Sequence, residues 1–108
     1  MTFDEYEKLV TRTMNPGLDE KDRLMDAAAG LAEESGEILG LVRKHMYQSH
    51  ELPRERLRTE LGDALWCLTV AARGAGLSLE EVTAGNVAML EARYPEGYSD
   101  RASRERRS

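Results

Sequence analysis

Residues 30–41 read GLAEESGEILGL and residues 57–68 read LRTELGDALWCL. In the first stretch Glu34 and Glu37 are three apart, so on a helix they share a face. The residues three and four away from Glu34 are Gly30, Leu31, Glu37 and Ile38, which makes that face the apolar one. The second stretch repeats the arrangement: Glu60 has Arg56, Leu57, Asp63 and Ala64 as helical neighbours, with Cys67 and Ala71 further along the stripe. Both stretches predict helices whose apolar stripes are interrupted by acids. Placing Glu34, Glu37, Glu60 and Asp63 side by side in a core is costly, because each carboxylate loses hydration and repels the others unless protons or cations compensate. Oxygen ligands without His or Cys suit Mg²⁺ or Mn²⁺ better than Zn²⁺. A di-iron carboxylate bundle expects Glu-x-x-His pairs, whereas the i+3 partners here are Glu37 and Asp63. The competing reading is a solvated acidic face, since Glu is a good helix former and charged residues make up 32% of the chain. Two acid pairs on two apolar stripes weigh against it.

Outward from these helices, the chain reads as all-α. Its prolines, Pro16, Pro53 and Pro95, lie in short polar stretches, and the segments between them lack β-branched alternation. Thr2 with Glu5 forms a capping box for a first helix carrying Phe3, Tyr6, Leu9 and Val10, which ends before Asn15-Pro16-Gly17. The second helix runs from about Lys21 to Tyr47, with Leu24, Ala27, Ala28, Leu31, Ile38, Leu41 and Val42 at helical spacing. Pro53 suits the first position of a third helix, whose stripe holds Leu57, Leu61, Ala64, Leu65, Leu68 and Ala71 and stops at Gly74-Ala75-Gly76. Ser78 with Glu81 starts a fourth helix that runs through Val82, Val87 and Leu90 to Tyr94 and is stopped by Pro95. Residues 1–98 thus form one four-helix, bundle-like domain, and 99–108 a basic tail with four arginines that alone is expected to be disordered.

The whole is short, 108 residues and 12.1 kDa. With only 6% aromatic residues, one subunit's core is thin and self-association is expected. Fifteen Lys+Arg against 20 Asp+Glu leave a net charge of −5, which argues against sequence-independent nucleic-acid binding. No apolar run approaches the roughly 20 residues needed to span a bilayer, and the amino terminus, neither basic nor followed by an apolar stretch, points to the cytoplasm. The single Cys67, inside ALWCL, reads as a buried structural thiol. The five methionines read as core filling.

The acidic pattern resembles the MazG-type all-α nucleotide pyrophosphohydrolases, whose signature is E-E-x-x-E, a spacer, then E-x-x-D. Here it reads Glu33-Glu34-Ser35-Gly36-Glu37, then residues 38–59, then Glu60-Leu61-Gly62-Asp63. The likeness extends over Gly30-Leu31, Arg43-Lys44-His45, Ala64-Leu65-Trp66, residues 76–82, Asn86, the run from Arg93 to Ser99, and Ser103-x-x-Arg106. It implies Mg²⁺-dependent hydrolysis of a (deoxy)nucleoside triphosphate to monophosphate and pyrophosphate, with Mn²⁺ as a substitute. The site implied lies between helices of a homodimer or homotetramer, and the role is nucleotide-pool housekeeping. By this resemblance Glu34, Glu37, Glu60 and Asp63 are the metal ligands, and Glu33 orients or deprotonates water. Glu33 lies about 100° around the helix from Glu34.

The chain departs from that pattern at Met89, where Asn86-x-x expects a lysine, so Lys44, Arg93 and Arg106 are the candidate cations for the substrate's phosphates. Of a frequent histidine pair only His50 is present, and it carries no assigned role. Trp66 and Tyr47 are candidates for stacking a base, with a core or interface position the commoner use of such a Trp. Relatives that prefer dUTP or dCTP, and a phosphoribosyl-ATP hydrolase, remain open as substrate classes. A helical oligomer that binds a partner without turnover also remains open.

Overall fold

The computed structural model describes residues 1–106; Arg107 and Ser108, the end of the basic tail, lie outside the described residues. Helix α1 spans Phe3–Arg12, α2 Glu20–Tyr47, α3 Arg54–Gly74, α4 Leu79–Arg93 and α5 Asp100–Arg104, with no strand among the described residues. The start signals act locally. Thr2 Oγ1 accepts the Glu5 N–H at 3.1 Å, and Asp19 Oδ1 accepts the Asp22 N–H at 2.8 Å to start α2. At α4, Ser78 Oγ accepts the Glu81 N–H at 3.0 Å while Glu81 Oε1 accepts the Ser78 N–H at 3.3 Å, which satisfies two orphan donors reciprocally. Pro53 sits one residue outside α3, as its N-cap without a side-chain hydrogen bond. At the far end of α3, Gly76 takes φ +74° and turns the chain toward α4, a conformation that costs a residue without Cβ little.

The body of the subunit is the antiparallel hairpin of α2 and α3, with α1 and α4 packed more lightly against α3 and each other. Its apolar core is small and lies toward one end. Val10 of α1, Ala27 of α2 and Val70 of α3 form it, with Tyr6, Met14, Trp66 and Ala71 packed around them. Cys67 is buried as expected. A polar link also holds α1 to α4: the buried Glu7 carboxylate accepts the Leu79 N–H at 2.9 Å. Phe3 and Val10, its i−4 and i+3 neighbours, put Glu7 on the apolar stripe of the first helix, a signal that the helix's apolar pattern alone did not draw out.

Three expectations need correction. Of the methionines read as core filling, Met14 packs against the core, whereas Met1, Met25, Met46 and Met89 are exposed. The tail is not wholly without order, because Ser99 Oγ accepts the Ala102 N–H and Tyr98 Oη donates to Asp100 Oδ1 at 2.6 Å, starting the single turn of α5. Four helices therefore become five. The apolar stripes are also less covered than their spacing implies: Leu61, Leu65, Leu68, Val87 and Leu90 are all exposed. The radius of gyration is 16.8 Å, against about 13 Å for a compact domain of this length. Helices arranged this openly have apolar faces that no element of the same chain reaches.

Candidate metal centre

The helix pair is closely packed one turn before Glu34. A Cβ added to Gly30 would stand 2.9 Å from Cys67 Sγ. Continued along the hairpin, the register that sets Ala27 against Val70 and Gly30 against Cys67 brings the α2 acids onto those of α3. One carboxylate oxygen each from Glu34, Glu37 and Glu60 lie within 4.8 Å of one another. Glu60 is buried, Glu34 half-buried and Glu37 exposed, so the cluster opens to solvent on the Glu37 side.

The electrostatics are those of crowded like charges. Contact with the Glu60 carboxyl, and then its charge, push the Glu37 carboxyl above its ordinary range. Glu60 is raised in turn, first by its contact with Glu34 and also by the charges of Glu34 and Asp63. Arg56 relieves part of this, with Nε 3.8 Å from Glu60 Oε1. Glu34 Oε2 is buried and lacks any hydrogen-bond partner, which is costly for a carboxylate unless something else ligates it. An all-oxygen donor set with an unpartnered buried oxygen suits a hard divalent cation.

A consequence concerns the metal-free protein. Because the native pKa values of Glu37 and Glu60 are raised, the native state holds protons more tightly than the unfolded chain, so stability is lost as pH rises through the carboxylate range. With chelator present, Glu60→Gln is expected to melt progressively higher than wild type between about pH 4 and pH 7. Parallel melting curves across that range would show that the acids do not repel one another.

The other candidate residues are spread more widely. Asp63, one turn beyond Glu60, is exposed and stands outside the cluster of three; its charge reaches Glu60, Tyr6 and Cys67. Glu33 is exposed beside Glu34. Lys44 lies two turns beyond Glu37 and lines a pocket with His50 and Arg56. Trp66 is half-buried in the α1–α3 contact, its indole N–H donating to Thr13 Oγ1 at 2.7 Å. Asn86 is exposed on α4. Arg93 lies over the Tyr94 ring, 5.9 Å from its centroid, with its Nε buried and unpartnered. Arg106 is exposed past the end of α5. No ion pair among the described residues joins Lys44, Arg93 or Arg106 to the acids. The sequence placed Arg56 beside Glu60 at i, i+4 spacing without assigning it a role; the structure makes the two an ion pair.

The fold and site define an all-α domain with an acidic, cation-ready centre between two antiparallel helices. The family model of the MazG nucleotide pyrophosphohydrolase domain matches residues 24–98. The chain belongs to that family, and its activity class is nucleotide pyrophosphohydrolysis. No curated protein and no solved structure matched the chain. No helix among the described residues is long and apolar enough to cross a membrane.

Proposed function

We propose that the protein hydrolyses a (deoxy)nucleoside triphosphate to monophosphate and pyrophosphate, using Mg²⁺, or Mn²⁺ in its place, held by Glu34, Glu37, Glu60 and Asp63. The observation that carries this reading is the meeting of Glu34, Glu37 and Glu60 oxygens from two helices within 4.8 Å, beside a buried Glu34 oxygen that has no partner. When bound, the cation neutralises the triphosphate, polarises the α-phosphoryl group and lowers the pKa of a water. The residues do the rest. Glu33, exposed beside the cluster, orients the attacking water and accepts its proton. Lys44, Arg93 and Arg106 offer charge-assisted hydrogen bonds to phosphate oxygens, Asn86 adds a neutral contact, and Trp66 offers its remaining ring surface to the base.

The active form is a homodimer or homotetramer in this reading. The chain exposes 8345 Å², whereas a compact monomer of its mass exposes about 6,000 Å². The surplus of roughly 2,300 Å² per chain, about 4,600 Å² for two, is of the size that an obligate homodimer interface buries. Sedimentation is expected to give two or four times the 12.1 kDa subunit mass. Leu65→Glu, at a leucine that is 44% exposed, should shift that mass toward the monomer. A monomeric wild type would overturn the oligomer.

The test of the reaction is release of monophosphate and pyrophosphate from a panel of the common NTPs and dNTPs plus dUTP, with and without Mg²⁺ or Mn²⁺. Metal-dependent formation of both products supports the reading and names the base. Release of orthophosphate instead, or turnover that persists in chelator, would refute it.

A further inference from the structure

A pocket of about 380 Å³ opens at the closed end of the α2–α3 hairpin, lined by Leu41, Lys44, His50, Glu51, Pro53 and Arg56. It adjoins the acidic cluster along both helices. Arg56 is four residues from Glu60 and Lys44 is seven from Glu37, about 6 Å and about 10 Å along the respective axes. Both steps lead toward the hairpin tip, so the cations flank one side of the acids. The pocket is held in shape by its own backbone. The His50 N–H donates to the Lys44 carbonyl at 3.2 Å, His45 Nδ1 lies 2.9 Å from the His50 carbonyl, and Ser49 takes φ 56°. Among the described residues neither Lys44 nor His50 is in an ion pair, and Arg56 reaches Glu60 through Nε. The planar guanidinium has further donors of fork geometry suited to phosphate.

We propose that this pocket seats the pyrophosphate portion of the substrate, with Lys44 and Arg56 as its principal contacts and His50 on the rim. The inference rests on the hydrolytic reading above and adds a direction to it: the polyphosphate runs toward the hairpin tip and the nucleoside lies on the other side of the acids. It also gives the chain cations for phosphate, on α2 and α3, where the α4 position expected to carry a lysine holds Met89. Glu51, which shares the lining, disfavours an anion unless it is outweighed, and Lys44 and Arg56 outnumber it. Arg56 then has two roles: it pairs with Glu60 when the pocket is empty and contacts phosphate when it is filled.

The test is calorimetric titration of the full-length chain, in Mg²⁺ buffer, with inorganic pyrophosphate and separately with a nucleoside monophosphate. Lys44→Ala and Arg56→Ala should each weaken pyrophosphate binding about tenfold or more, the loss of one charge-assisted contact. Monophosphate affinity, and the behaviour of Arg58→Ala on the neighbouring turn, should stay within about twofold. Mn²⁺ titration of each variant shows whether losing Arg56 has disturbed Glu60. Lys44→Ala, which touches no ion pair, keeps the test valid if it has. Unchanged pyrophosphate affinity in both variants overturns the proposal, as does a loss confined to the monophosphate, which would put the nucleoside in this pocket. If no triphosphate is hydrolysed yet pyrophosphate binding depends on Lys44 and Arg56, the pocket stands and the hydrolytic reading fails. Metal-dependent turnover with pyrophosphate binding indifferent to both substitutions would refute the pocket and leave the hydrolytic reading standing.

Discussion

Glu37→Gln is expected to reduce kcat/KM for any triphosphate that the wild type hydrolyses by a factor of about a thousand, the effect of removing a metal ligand worth several kcal/mol in the transition state. The substitution keeps the shape and a good helix former at an exposed position, so the fold should survive. It should even melt higher in chelator, because the charge that Glu60 opposes has gone. Mn²⁺ affinity measured by titration should fall in parallel with activity. This combination of a more stable metal-free protein, weaker metal binding and lost turnover separates a metal centre from a solvated acidic face, for which metal affinity would not change. Activity within about tenfold of wild type would remove Glu37 from the ligand set. A wild type silent on the whole panel, whose self-association survives the substitution, would favour the partner-binding helical oligomer.

The second large effect concerns stability. Gly30→Val should destabilise the protein by about 2–3 kcal/mol, because a Cβ there meets Cys67 Sγ at 2.9 Å and the branched side chain pushes α2 away from α3. The helix-propensity gain of under about 1 kcal/mol does not offset this. A fall in Tm of about 10 °C or more follows for a domain of this size. The same displacement separates Glu34 from Glu60, so Mn²⁺ affinity should drop as well. Gly36, between two of the acids, is the control: a Cβ there meets nothing within 4 Å, so Gly36→Ala should be neutral or stabilising by up to about 1 kcal/mol. Adding Cys67→Ala to Gly30→Ala should restore whatever Gly30→Ala loses, since the two sites are in contact and couple. If Gly30→Val melts like wild type, the helices do not depend on the close approach at Gly30.

That the protein is all-α, where α1 and α4 start, and that Glu34, Glu37 and Glu60 lie on apolar stripes could all be read along the chain. Each depends on neighbours within four residues: Ser78 with Glu81, Thr2 with Glu5, and Glu34 between Gly30 and Ile38. Glu7 as a bond between α1 and α4 was half legible. Its place on the apolar stripe is local, but its partner, the Leu79 N–H, is far away in sequence. The single turn of α5 was missed because it rests on one serine cap and a tyrosine–aspartate bond, signals too weak against a run of arginines.

What the amino-acid order determined by itself is the helical class and the presence of misplaced acids, because helix periodicity and capping are short-range physics. Only the tertiary structure decided which acids meet. Cys67 sits in the hollow left by Gly30, and that contact sets the register that brings Glu34, Glu37 and Glu60 together while Asp63 stands outside. The same register places Arg56 and Lys44 on one pocket and leaves Leu61 and Leu65 exposed. Helix pairing depends on side-chain volume at positions dozens of residues apart, and no local pattern encodes how closely two stripes will approach.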